Sequence, residues 1–339
     1  MDVDLLVVGG GPIGLGTAVE AARAGMSVAL VERREGPVDK ACGEGLMPAA
    51  RTSLHRLGVE PDGVEFRGIR YLARGREATA LFSAGPGLGV RRTTLSAALG
   101  ARADALGVKR VRANAAPPVT GPGWVEAAGV RARWFVAADG LHSPVRRALG
   151  LDVPARGAVR YGLRRHYRVA PWSDLVEVHW ADDAEAYVTP VAEDLVGVAV
   201  LCPGGGSYDT WLARFPALAD RLAGAEPASD VRGAGPLRRT AARRVQGRVL
   251  LVGDAAGYVD ALTGEGISVG LACARELVAC LVADRPQDYE AAWRRTTRRY
   301  RVLTGGLLRA AQRPALRRAI VPAASRLPRV FRGIVDQLG

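Results

Sequence analysis

The stretch Asp4 to Glu32, DLLVVGGGPIGLGTAVEAARAGMSVALVE, limits most strongly what this chain can fold into. An apolar run, Leu5 to Val8, enters Gly9-x-Gly11-x-x-Gly14. A helix with small residues at Gly16, Ala18, Ala21 and Ala22 follows and ends at Gly25, and a second apolar strand, Ser27 to Val31, delivers Glu32. Gly9 allows a tight turn, Gly11 lets backbone approach a pyrophosphate, and Gly14 lets the helix pack on the strand. The helix N-terminus, with Pro12 and Ile13 in its first turn, then faces phosphate. Glu32, eighteen residues after Gly14, is placed to accept hydrogen bonds from a ribose. Strand, glycine turn, helix, strand and acid in this register predict a dinucleotide site and leave open which dinucleotide.

The remainder must supply a partner lobe. A chain of 339 residues, 48% hydrophobic, buries a large core and is expected to form two connected lobes. Nothing basic precedes the first apolar run, and glycines interrupt it. It therefore reads as neither a secretory signal nor a membrane span, and the expected location is the cytoplasm. Cys42, Cys202, Cys273 and Cys280 contain no C-x-x-C pair, and with four scattered histidines they make no metal site by spacing. Cys273 and Cys280, seven apart, fall on one helix face as small buried hydrophobes.

The net charge of +13 is concentrated: residues 291–335 hold twelve arginines and no acidic residue. A solvated helical face accounts for this, and so does docking to a membrane surface, an acidic carrier protein or an anionic substrate. No nucleic-acid recognition motif accompanies the charge, so nucleic acid is not an expected partner.

Along the chain, a loop over 33–48 precedes a helix around Ala49–Leu57, and residues 68–84 alternate like a hairpin. A helix is predicted over Thr93–Leu106, with strands at Val108–Ala113 and Val130–Ala138. YGLRRHYRV, LVEVHW, AYVTPV and LVGVAVL then read as an antiparallel sheet between Val159 and Leu201. A helix over Tyr208–Ala223, a buried strand at Val249–Val252 and a long apolar helix over Ile267–Val282 follow. Helices broken at Pro314, Pro322 and Pro328 fill the rest. The strand-rich lobe is inserted into the dinucleotide lobe.

Three distant motifs bear on the cofactor. VAADGLHSPVRRALG places Asp139-Gly140 at the end of an apolar strand, with Ser143 and Arg146 after it. GRVLLVGDAAGYVDALTGEGISVG carries Gly253-Asp254 and a glycine-rich helix entry. VRRTTLSAAL starts a helix with Arg91 and Arg92. Together they resemble the FAD-dependent monooxygenases and reductases built like aromatic hydroxylases, which include the geranylgeranyl reductases. The resemblance implies an α/β fold with a Rossmann-like FAD-binding lobe of the glutathione-reductase type, an inserted antiparallel substrate sheet and C-terminal helices. On that reading residues 1–67, 88–157 and 240–305 form the FAD-binding domain, 68–87 and 158–239 the substrate domain, and 306–339 basic C-terminal helices.

The resemblance also implies residue roles. Asp254 holds the ribityl chain, while Asp139, Gly140 and Arg146 lie by the pyrophosphate and are tied to NAD(P)H use. Arg92, or Arg91, contacts the cofactor, and Glu32 with Arg33 sits at the adenosine ribose. Gly264, Gly266 and Ile267 offer backbone N–H groups near the pyrimidine edge, where such donors stabilise reduced flavin. The segment Asp39-Lys40-Ala41-Cys42-Gly43-Glu44-Gly45-Leu46 resembles the geranylgeranyl reductase branch and puts Cys42 and Gly43 beside the isoalloxazine. There Cys42 is a candidate proton donor, with Lys40 to lower its pKa and Glu44 to orient it.

No second glycine fingerprint offers a separate nicotinamide domain, so NAD(P)H is expected as a transient visitor. The likeness to actinobacterial flavoproteins associated with type III polyketide synthases implies a phenolic, alkyl-bearing substrate. It would be hydroxylated with molecular oxygen through a flavin C4a-hydroperoxide, and His166 and Tyr187 are candidates to act on it from the sheet. Reduction of carbon–carbon double bonds is the alternative chemistry, and a flavin-binding docking protein a non-enzymatic one.

Overall fold

The computed structural model describes residues 1–114, 117–154, 157 and 159–338. The expected division between residues 157 and 158 falls at Ala158, outside the described residues. The first strand, Val3–Val8, lies at the centre of a sheet whose parallel strands run Val249–Leu251, Val130–Ala137, Val3–Val8, Val28–Val31 and Lys109–Val111. Leu5 to Val8 and Val28 to Val31 are at most 5% exposed. Parallel strands covered on both faces by helices are apolar throughout for this reason, and each such side chain contributes about 1.5–3 kcal/mol by leaving water. Helix Pro12–Arg23 packs on the long helix Gly266–Val282. Gly16 is the contact point: a Cβ there would stand 2.5 Å from Leu271.

A second sheet of eight strands contains Tyr161–Arg168, Leu195–Cys202, Glu185–Ala192 and Val176–Trp180 in antiparallel order. The hairpin Gly68–Ala73 and Arg76–Leu81 extends it. The strands between Val159 and Leu201 pair antiparallel as expected, and the hairpin joins them through a parallel pairing of Val176–Trp180 with Gly68–Ala73. These strands come from distant parts of the chain, so no short connection imposes the antiparallel direction.

Two helix expectations are corrected. Pro216 divides Tyr208–Ala223 into Tyr208–Leu212 and Pro216–Arg221. Pro322, expected as a break, lies inside the continuous helix Pro314–Arg326. That helix is held by Arg317, which donates to the Ala181 and Ala184 carbonyls (both 2.6 Å) and pairs with buried Glu185 (2.7 Å). Docking therefore offsets the lost backbone hydrogen bond. With Pro328–Leu338 it covers the face of the hairpin, where Val321, Phe331 and Val335 join Tyr71 and Trp180 in one apolar cluster.

Candidate functional site

The glycine turn is built by close approach. Gly9 has φ +111°, and a Cβ there would meet the Ala138 carbonyl oxygen at 2.4 Å; on Gly14 it would meet the Gly9 oxygen at 1.8 Å. The following helix has no side-chain cap and no acidic residue in its first turn. Its free N–H groups and dipole form an anion cradle. Arg92 stands over it, with Nη2 3.6 Å from a Cβ built on Gly11, and Lys40 Nζ lies 3.2 Å from one built on Gly140. The Lys40 ammonium is held below its ordinary pKa, first by desolvation among surrounding protein atoms, then by the like charges of Arg34 and Arg92. An anion between these cations relieves that repulsion. Arg92 Nε and Asp139 Oδ1 are buried without a hydrogen-bond partner among the described residues. The cradle, the cations and the orphaned Arg92 donor fit a diphosphate; Asp139 Oδ1, an acceptor, would need a donor group such as a ligand hydroxyl.

Glu32 closes one end. Its Oε2 accepts the Gly10 N–H (2.9 Å), and its Oε1 accepts the Arg34 N–H (3.1 Å) and Nε–H (2.9 Å). Partial burial opposes the charge, but hydrogen bonds from Arg34 and Gly10 and the Arg34 guanidinium outweigh it and bring the carboxyl to about 2. Remaining lone pairs can take ribose hydroxyls. The neighbour that engages Glu32 is Arg34; Arg33 and Arg34 are both exposed. Two adjacent arginines in a loop are indistinguishable until the backbone turns.

Arg146 ties the D-G and G-D motifs together. Asp139 Oδ2 accepts the Val145 N–H (3.2 Å), and Ser143 caps the short helix Pro144–Ala148 through the Arg146 N–H (2.9 Å). Burial raises the Asp139 pKa against hydrogen bonds from Ser143 and Val145. Arg146, 1% exposed, donates to Asp152 (2.6 Å) and to the carbonyls of Leu141 (2.9 Å), Ala255 (3.0 Å) and Asp254 (3.3 Å). Its guanidinium is a buried strut with four of its five donors engaged. Asp254 is different. Burial raises its pKa, Lys40 and Arg92 pull it down, and no side-chain hydrogen bond from the described residues reaches its carboxylate, which is left to accept from ligand hydroxyls.

The Cys42 loop lies between these motifs and the second sheet. Cys42 is half-buried, and its Sγ receives the Glu44 N–H at 3.4 Å. Glu44 itself is 2% exposed with φ +59°. Its Oε1 accepts the Arg92 N–H (2.8 Å), capping helix Arg92–Ala105, and its Oε2 lies 2.6 Å from His166 Nε2. Arg164 Nη1, which can only donate, lies 3.0 Å from His166 Nδ1. Nδ1 is therefore the acceptor, and Nε2 carries the proton given to Glu44. Thr189, not singled out in the sequence, donates to the Gly43 carbonyl (2.8 Å) and fastens the loop to the sheet.

Two expected catalytic groups are corrected. His166 is fully enclosed with both ring nitrogens engaged, so it cannot serve a substrate as a base. The Tyr187 hydroxyl donates to the Leu262 carbonyl (2.9 Å), and burial, then the Glu185 charge, raises its pKa well above the ordinary range. Tyr187 anchors the loop leading to Gly264.

From Gly264 the chain enters helix Gly266–Val282 with no side-chain cap and no acidic residue in the first turn, leaving the Gly266 and Ile267 N–H groups free. Glu265, just before it, is 4% exposed with Oε2 unpartnered. Burial raises its carboxyl to about 7, against a Thr263 hydrogen bond and the Arg299 charge. A cavity of about 110 Å³ touches Gly253, Asp254 and Gly266 and runs on to Tyr258, Arg239 and Trp293.

Residues 91–284 match the model of the FAD binding domain family, and residues 4–93 that of the FAD dependent oxidoreductase family. The chain is 30% identical over 323 residues to a menaquinone reductase of Mycobacterium tuberculosis, covering 86% of this chain and 78% of the relative. It is 30% identical over 307 residues to digeranylgeranylglycerophospholipid reductase 2 of Methanopyrus kandleri, covering 81% and 76%. Its fold superposes on p-nitrophenol 4-monooxygenase PnpA from Pseudomonas putida with a TM-score of 0.81 at 20% identity, covering 99% of this chain and 98% of that one. With more than half its length matched and both ends of a dinucleotide cleft in place, the chain belongs to the family of FAD-binding oxidoreductases.

Proposed function

We propose that this chain is a reductase that adds hydrogen across a carbon–carbon double bond of an apolar, isoprenoid-type substrate, using FAD, with NAD(P)H as a transient electron donor. The observation that carries the reading is the half-buried thiol of Cys42, held by the Glu44 N–H in the loop beside Lys40. A site activating a phenol needs a free base, and the two sheet residues suited to that task, His166 and Tyr187, are engaged elsewhere. The two reductases at 30% identity support the same reading.

Gly9, Gly11, Gly14 and Arg92 would hold the pyrophosphate of FAD, Glu32 its adenosine ribose, Asp254 its ribityl chain, and Gly264, Gly266 and Ile267 its pyrimidine edge. When bound, FAD supplies a hydride equivalent to one carbon of the double bond. Cys42 Sγ would give its proton to the other carbon and recover one from water, with the Glu44 N–H donating to the sulfur.

Hydroxylation of a phenolic substrate is the second reading, admitted by the fold shared with a monooxygenase. One experiment separates the two. The protein is reduced anaerobically with NADH or NADPH and offered a polyprenyl quinone or polyprenyl lipid, and separately a phenol with oxygen. The expected result is a saturated bond formed without oxygen, slowed about a hundredfold or more in Cys42→Ser. Untouched double bonds together with oxygen-dependent phenol hydroxylation would overturn the reading.

A further inference from the structure

The arginine-rich C-terminal region is a fixed surface with a defined shape. Arg317, 7% exposed, pins helix Pro314–Arg326 to the second sheet through the Ala181 and Ala184 carbonyls and Glu185. Arg160 braces Glu185 from the other side (2.5 Å). Helix Pro328–Leu338 is anchored by Phe331, whose ring centroid lies 4.8 Å from that of Tyr71, by fully enclosed Val335, and by Asp336, which accepts the Ser83 N–H (2.8 Å).

With that face committed to the core, another face is left bare. Val330 (56% exposed) and Ile334 (42%) fall at i and i+4, on one side of helix Pro328–Leu338, and Leu327 (56% exposed) lies at the junction just before it. Arg326 and Arg329 flank the same stripe. Arg332 is held by Asp336 (3.7 Å), while no carboxylate among the described residues lies within salt-bridge distance of Arg326 or Arg329. Two aligned aliphatic side chains, exposed Leu327 at the helix entry and guanidinium groups without a carboxylate partner form a basic amphipathic surface on a rigid mount.

We propose that this surface docks on an anionic phospholipid bilayer, with Leu327, Val330 and Ile334 entering the boundary between headgroups and acyl chains and Arg326 and Arg329 pairing with lipid phosphates. The charge selects the occupant: residues 291–335 hold twelve arginines without one acidic residue, and although Arg317 is buried and Arg294, Arg318 and Arg332 pair with carboxylates, the excess that remains complements a negatively charged interface. Among the described residues no helix is long and apolar enough to cross a membrane, so attachment is from one side. The helices that carry the stripe cover the hairpin of the second sheet, so docking places that sheet's covered edge against the lipid. The surface stands independently of the reductase reading, and the test below measures binding rather than turnover.

The full chain is co-sedimented with vesicles of phosphatidylcholine alone and of phosphatidylcholine with phosphatidylglycerol, at low and high salt. The expected result is binding to the anionic vesicles, at least about tenfold above neutral ones and falling with salt. Arg326→Glu with Arg329→Glu, and separately Val330→Glu with Ile334→Glu, each lower it about tenfold or more. All four positions are exposed and outside the cofactor cleft, so flavin content and melting temperature stay at the wild-type value and report correct folding. Absence of vesicle binding, binding unchanged in the Val330/Ile334 variant, or capture of an acidic carrier protein in place of vesicles would each overturn the proposal.

Discussion

Glu44 occupies a left-handed backbone conformation (φ +59°) that costs a side-chain-bearing residue on the order of 1 kcal/mol or more. Three fixed contacts compensate: its N–H to Cys42 Sγ, one carboxylate oxygen to the Arg92 N–H, and the other to His166. Removing the carboxylate leaves an enclosed imidazole N–H and a helix N-terminus without acceptors. Glu44→Ala is expected to lose about 3 kcal/mol of stability, read by urea unfolding, and to weaken FAD retention because Arg92 loses its cap. A loss below about 1 kcal/mol would contradict this assignment.

Glu265 makes a pH-dependent prediction. Its carboxyl is raised from 4.5 to about 7 by burial, so the folded state holds the proton more tightly than the unfolded one. Its contribution to stability is complete below pH 4.5, falls as pH rises towards 7 and is flat above. Glu265→Gln cannot ionise. Its melting temperature relative to wild type is therefore expected to climb between pH 5 and pH 8, and a constant difference would refute the shift.

Among the elements, the first strand, its glycine turn and its helix form the most constrained unit. Gly14→Ala puts a methyl group 1.8 Å from the Gly9 oxygen, a backbone clash no rotamer relieves. This variant is expected to lose FAD, measured as flavin absorbance after gel filtration, and retention at the wild-type level would contradict the packing described. Elements of this kind were legible in the sequence because their signals are local. Apolar runs bounded by glycine predict Val3–Val8, Val28–Val31, Val249–Leu251 and helix Gly266–Val282 almost to the residue. What escaped is non-local. Pro322 stays helical because Arg317 docks its helix onto Ala181 and Ala184. Gly68–Ala73 pairs in parallel with a strand more than a hundred residues away. The Glu44–His166 bond spans 122 positions, and no periodicity points from one to the other, so His166 read as a candidate base. Arg34 was not singled out because only the folded turn decides which arginine faces Glu32.

At the scale of the whole molecule, three charged residues join the two sheets and the C-terminal helices from within. Arg146 joins the D-G and G-D motifs, Glu44 joins the glycine-turn lobe to the second sheet, and Arg317 joins that sheet to the C-terminal helices. Asp254, whose carboxylate receives no side-chain hydrogen bond from the described residues, stands where its acceptors are free for a ligand, with Lys40, Arg92 and Arg146 contributing positive charge around it. Losing a charged acceptor of ligand hydroxyls costs about 1.5–3 kcal/mol, or about ten- to a hundredfold in affinity. The direct test is to purify wild type and Asp254→Ala, confirm by circular dichroism that both are folded, and quantify the FAD that each releases on denaturation. A yellow wild-type protein yielding FAD, beside a folded but largely colourless Asp254→Ala, is the expected result. Full FAD occupancy in Asp254→Ala would contradict the account.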